Sequence, residues 1–116
     1  MLKSLYLQNF RNYQQLEFKP DNDFLILTGA NGTGKSNLLE SIFYLGTGYS
    51  FRQVKDDHLV RFGADYFLIR GVVNNNGIDY QIEFCYNQEQ RKKITKINNK
   101  NALPGSCASY LPVVIF

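Results

Sequence analysis

Eight consecutive residues, Gly29-Ala30-Asn31-Gly32-Thr33-Gly34-Lys35-Ser36, constrain this chain more than any other stretch of it. They fit G-x-x-x-x-G-K-[ST], the pattern of a phosphate-binding loop. The flanks agree with the letters. Phe24-Leu25-Ile26-Leu27 is a short continuous apolar run of the kind that forms a buried strand. After the loop, apolar residues at 38, 39, 42, 43 and 45 lay one stripe along a helix. A strand before the motif and a helix after it are the context that a phosphate loop needs.

Each residue type in the loop has a physical task. Gly29, Gly32 and Gly34 let the backbone take positive φ and approach a ligand closely. The loop then turns its N–H groups inward as an anion nest, beside the positive end of the helix. Lys35 adds a full charge for the β and γ phosphates, and Ser36 offers a hydroxyl to Mg²⁺. With Ala30, Asn31 and Thr33, these residues form the expected nucleotide site, with ATP and Mg²⁺ as the expected ligands. A glycine-rich turn that merely fits the pattern is the plain alternative.

The 116 residues suffice for one small domain, taken as residues 1–116. The chain is 44% hydrophobic and 20% charged, which excludes a disordered polyampholyte. A net charge of +3 is compatible with a polyanion partner without requiring one. Cys85 and Cys107 fit no metal spacing and read as free thiols. With His58 the only histidine, a histidine-based metal site or triad is disfavoured. No apolar run approaches a membrane span, and residues 1–4 lack a signal-peptide core, so a cytoplasmic protein without a membrane partner is expected.

In chain order, residues 2–8 read as a strand, Asn9 to Tyr13 as a turn, and residues 15–19 as an antiparallel strand. Gly46 and Gly48 are expected to stop the loop helix. Residues 56–62 allow one or two helical turns ending at Gly63. Residues 66–73 are β-rich, and Asn74-Asn75-Asn76-Gly77 is a strong hairpin turn. Ile78, Tyr80, Ile82, Phe84 and Tyr86 alternate with Asp79, Gln81, Glu83 and Cys85, the pattern of a half-buried antiparallel strand. Residues 92–97 look like another strand, residues 98–101 like a turn, and 104–110 like a short helix. Val113 to Phe116 form a buried-strand pattern that stops, so the expectation is the front piece of a longer protein.

Beyond the loop, Asn9-Phe10-Arg11-Asn12-Tyr13, Lys35 to Glu40, Ser50-Phe51-Arg52, Lys96 to Lys100 and Leu111 to Phe116 together resemble the start of the RecF family of bacterial recombinational-repair ATPases. The resemblance spans nearly the whole chain. It implies an α/β P-loop NTPase fold, the N-terminal part of an ABC-type ATPase head related to SMC proteins. Its sheet would be mixed, with an antiparallel portion beside the phosphate-loop helix. The resemblance also implies DNA binding at gapped or single-/double-strand junctions, ATP-dependent dimerisation, and work with RecO and RecR to load recombinase. DNA replication, recombination, repair and the SOS response are the processes implied. Arg11 and Asn12 would lie near the nucleotide. The family's signature motif, acidic Walker B segment and switch histidine would follow Phe116, so no catalytic residue is expected in this piece.

Several residues carry two readings. Arg11 either approaches phosphate or is an exposed turn arginine. Arg52 either touches DNA or a phosphate or is a loop arginine of no special role. Arg91, Lys92, Lys93, Lys96 and Lys100 are five of the 13 basic residues, either a stripe for DNA phosphates, led by Lys92, Lys93 and Lys96, or solubilising charges on an edge strand. His58 reads as structural, and the Tyr80, Phe84, Tyr86 row as core. A nucleoside-kinase-like phosphotransferase is a competing class, disfavoured because an asparagine-rich β region replaces lid arginines. A non-catalytic nucleotide-binding module is another.

Overall fold

In the computed structural model, which describes residues 2–20 and 33–111 and the side chains of the helix from Ser36 onward, one antiparallel sheet carries one long helix. The strands are β1 (Leu2–Phe10), β2 (Tyr13–Phe18), β3 (Tyr66–Asn75), β4 (Ile78–Asn87), β5 (Lys92–Ile97) and β6 (Lys100–Asn101). Their order across the sheet is β2-β1-β3-β4-β5-β6. The helix α1 (Thr33–Thr47) lies between β2 and β3 in sequence, and two 3-10 turns, Asp56–Leu59 and Pro104–Ser109, complete the described elements.

Strand alternation decides which face meets the helix. In β3, Phe67, Ile69, Gly71 and Val73 are buried, while Tyr66, Leu68, Arg70 and Val72 face the other way and are only half-covered. In β4 the inner set is Ile82, Phe84 and Tyr86, and Ile78 at the strand's start is exposed. Against them α1 buries Leu38, Ile42, Tyr44 and Leu45. Aromatic rings join the layers. Tyr44 meets Phe67 and Phe84 edge-on at 5.6 and 5.1 Å, and Phe67 meets Phe10 edge-on at 5.6 Å.

The turns follow side-chain chemistry. Asn76 and Gly77 both take positive φ, 55° and 82°, as a tight two-residue hairpin between Asn75 and Ile78 requires. Asn98 and Asn99 do the same at 52° and 66°, between Ile97 and Lys100. The expected turn over Asn9 to Tyr13 is shorter than its composition suggested. β1 runs to Phe10, only Arg11 and Asn12 turn, and Tyr13 already pairs back to Phe10. Phe10 is fully buried and needs a strand position to reach the core. The extension also pairs with the chain after the first 3-10 turn. The Arg11 amide donates to the Leu59 carbonyl and the Arg61 amide to the Asn9 carbonyl, both at 2.8 Å.

Gly46 does not stop the helix. It is a buried helical residue, and the termination falls on Gly48, whose φ of 84° is the left-handed cap conformation. The apolar run 24–27 and the stretch 113–116 lie outside the described residues. Both cysteines are free thiols, Cys107 buried and Cys85 half-buried. His58 is exposed within the first 3-10 turn.

Candidate functional site

The helix begins inside the sequence motif. Thr33 is its first residue, so Lys35 and Ser36 belong to its first turn and bring its unpaired amides to the end of the loop. No acidic residue stands in that turn to compete for those amides. Ser36 is half-buried. Gly29, Ala30, Asn31 and Gly32 lie outside the described residues, and of Thr33, Gly34 and Lys35 only the helical backbone is described.

One helical turn further, the sequence places an acid among apolar residues, and it is fully buried. Glu40 is 0% exposed. A carboxylate there requires partners on both oxygens, because an unpaired buried charge is very unfavourable. Four donors, from three residues on two segments, supply them. Arg11 donates side-on, Nε to Oε1 at 2.9 Å and Nη2 to Oε2 at 3.1 Å. Arg52 Nη1 reaches Oε1 at 3.2 Å, and the Ser50 hydroxyl donates to Oε2 at 2.6 Å. Ser50 Oγ in turn accepts the Arg52 amide at 3.0 Å, which fixes the loop that carries the second arginine.

A second chain of bonds ties these two segments to α1 nearer the helix start. Asn37 Nδ2 donates to Asn12 Oδ1 at 2.8 Å, and Arg52 Nη1 donates to Asn37 Oδ1 at 3.0 Å. Arg11, Asn12 and Arg52, read from the sequence as separate candidates, are therefore one cluster beside the first turns of α1. Arg11 is no freely exposed turn arginine, since its side chain is 24% accessible and fully engaged on one edge. Two guanidinium groups against one carboxylate leave the cluster with a surplus positive charge.

Glu40, Asn37 and Ser50 were not legible as site residues. Glu40 falls outside the apolar set by which the helix was read. Its helical spacing was the available signal, because residues 37, 40 and 44 share a face and Tyr44 is core.

The basic residues after β4 divide between the two faces of the sheet. Lys92 and Lys96 lie on the face away from α1, Lys96 opposite Glu83, whose carboxylate accepts from Arg70 at 2.8 Å. Lys93 lies on the helix face. Its Nζ donates to the Gly48 carbonyl at 2.7 Å, approaches Asp56 at 3.5 Å and sits over the Tyr44 and Tyr49 rings at 5.1 and 5.0 Å. Of the two readings of these lysines, a single stripe cannot include Lys93, because strand alternation sends it to cap α1 instead.

Around that cap, Tyr44 donates to Asp56 at 2.9 Å, and Tyr86 donates to Asp57. Burial, reinforced by these aspartates, raises both hydroxyl pKa values, that of Tyr86 to about 12. Burial also pushes the Cys107 thiol up, to about 11, away from reactive thiolate. No group of three or more His, Cys, Asp or Glu side chains able to hold a metal occurs among the described residues. No described helix is long and apolar enough to cross a membrane.

An antiparallel sheet packed on the helix that leaves a phosphate-loop motif defines the N-terminal part of an ABC-type ATPase head. A crystal structure of an SMC head bound to the C-winged helix domain of ScpA shares this fold, at 22% identity and a TM-score of 0.75 over 95% of this chain and 39% of that one. The chain belongs to the RecF/RecN/SMC N-terminal domain family, whose model matches residues 1–106. Within that family its likeness is to RecF. It is 38% identical to the DNA replication and repair protein RecF of Thermoanaerobacter sp. (strain X514), over 99% of this chain and 32% of that protein. It also matches the structure of the recombination mediator protein RecF with ATP, of the RecFOR pathway, at 34% identity and a TM-score of 0.81 over 92% of this chain and 30% of that one. The chain thus spans about a third of the length of the relatives it matches.

Proposed function

We propose that residues 1–116 act as one domain, the ATP-binding N-terminal part of a RecF-like protein of DNA replication, recombination and repair. The observation that carries this reading is the start of α1 at Thr33, inside the phosphate-loop motif, which puts Lys35 and Ser36 in the first turn of a long helix. Gly29 to Gly34 would cradle the phosphates through backbone amides, Lys35 would neutralise the outer phosphates, and Ser36 would give Mg²⁺ one ligand. Bound MgATP supplies the charge and phosphate geometry that two protein copies can share. The surplus positive charge of the Arg11–Arg52–Glu40 cluster and the acid-free first turn fit an anion there.

The family likeness extends the reading to the whole protein. ATP-dependent dimerisation, binding of gapped DNA at single-/double-strand junctions, cooperation with RecO and RecR, and a cytoplasmic, SOS-linked role are proposed on that ground. For DNA, Lys92 and Lys96 are the candidates on the open face. Arg52 and Lys93 are committed to protein partners and serve DNA less directly. Catalysis would need a carboxylate on Mg²⁺ beside the Ser36 hydroxyl, and a positioned water, and residues 1–116 are proposed to supply neither.

A phosphate-release assay on the full-length protein, with and without a nucleoside acceptor, tests the class. Release to water, without transfer to the acceptor, is expected. Transfer to the nucleoside would replace this reading with a phosphotransferase.

A further inference from the structure

Glu40 is the one fully buried acid among the described residues, and it collects more positive charge than its burial requires. One arginine would neutralise it. The second leaves a net positive cluster, which a purely structural ion pair has no reason to contain, since buried pairs contribute little net stability. Both guanidinium groups keep an accessible part: the Arg11 side chain is 24% exposed and that of Arg52 32%. Arg11 spends Nε and one N–H of Nη2 on the carboxylate, leaving Nη1 without a bond to Glu40. Arg52 spends only Nη1 on Glu40 and Asn37, leaving Nε and Nη2.

The two arginines come from distant segments, the β1–β2 turn and the loop after α1, and neither is held by its own element. Arg11 sits at a positive φ of 53° in a two-residue turn. Without a common anchor, each long side chain would sample many rotamers and repel the other. Glu40 is rooted in α1 between core residues and grips both from below. Asn37 sets Arg52 beside the first turn, two residues after Lys35.

We propose that Glu40 is a positioning residue of the nucleotide site: it holds Arg11 and Arg52 together so that their remaining donors face the phosphates bound at the start of α1. This rests on the nucleotide-binding reading above. Glu40 touches no ligand itself and acts through the two arginines.

A double-mutant cycle on the full-length protein, read by calorimetric titration of MgATP, tests the proposal. Glu40→Gln and Arg52→Ala should each weaken binding about tenfold, and the double variant should be little weaker than either single one, because both break the same unit. Thermal melts identify variants that are folded; if Glu40→Gln is not, Glu40→Asp takes its place in the cycle, since it keeps the charge but is too short to grip both arginines. Wild-type affinity in the Glu40 variant, or losses that multiply in the double variant, would overturn the positioning role. Failure of the wild-type protein to bind MgATP would instead overturn the nucleotide reading, and the proposal with it.

Discussion

Gly71 of β3 lies directly beneath Leu45 of α1, and a Cβ at position 71 would fall 2.3 Å from Leu45 Cδ2. The missing side chain is what lets the helix seat on the sheet. Leu45 is fully buried, so it has no free space into which to swing. Gly71→Ala is expected to destabilise the protein by about 1–3 kcal/mol through overpacking. In a Leu45→Ala background, already destabilised by its own cavity, the added cost should largely disappear. Denaturant melts of the four proteins measure that coupling; equal costs in both backgrounds would contradict the close approach of Gly71 and Leu45.

The buried tyrosine beside the helix cap makes stability fall in alkali. The Tyr86 hydroxyl is raised from 10.0 to about 12, first by burial and then by its bond to Asp57. The unfolded chain loses this proton near pH 10, while the native state keeps it until about 12. Between those values the native state binds more protons, so its stability declines as pH rises. Below pH 10 the contribution is fully present. Tyr86→Phe should flatten that decline in a pH series of urea melts, with the rest of the alkaline limb unchanged.

Lys93 and its neighbours should behave differently, although they read alike in the sequence. Lys92→Gln and Lys96→Gln are expected to lower the salt dependence of duplex DNA binding by the full-length protein, by about 0.9 in the log–log slope for each phosphate no longer neutralised. Lys93→Gln should leave that slope alone. It should cost on the order of 1 kcal/mol of stability, because the Gly48 carbonyl would no longer receive its hydrogen bond. A slope unchanged by Lys92 and Lys96 would leave them as solubilising charges on the sheet.

These three lysines show where sequence reading reaches its limit. The β4 alternation, the Asn76-Gly77 turn and the helix after the loop are local properties, and each could be read from spacing and turn chemistry. That β5 is a strand was equally legible. Which of its faces meets α1 depends on a register that only the folded sheet supplies. The turn at Arg11 was placed, but its length was not, because Phe10 is buried against Phe67, a residue far along the chain on another strand. Glu40 is the same lesson at the site. Arg11 and Arg52 were visible as candidates, yet the buried carboxylate that unites them lies 29 and 12 residues away, and its surroundings are a tertiary fact.

Gly29 to Ser36 are proposed to grip the phosphates of ATP. Calorimetric titration of MgATP into the full-length protein, wild type against Lys35→Ala, decides whether they do. Removing one charge-assisted interaction of this kind costs on the order of 1.5–3 kcal/mol, so affinity should fall roughly ten- to a hundredfold with an unchanged melting profile. Equal affinity in the two proteins would contradict the assignment of the loop.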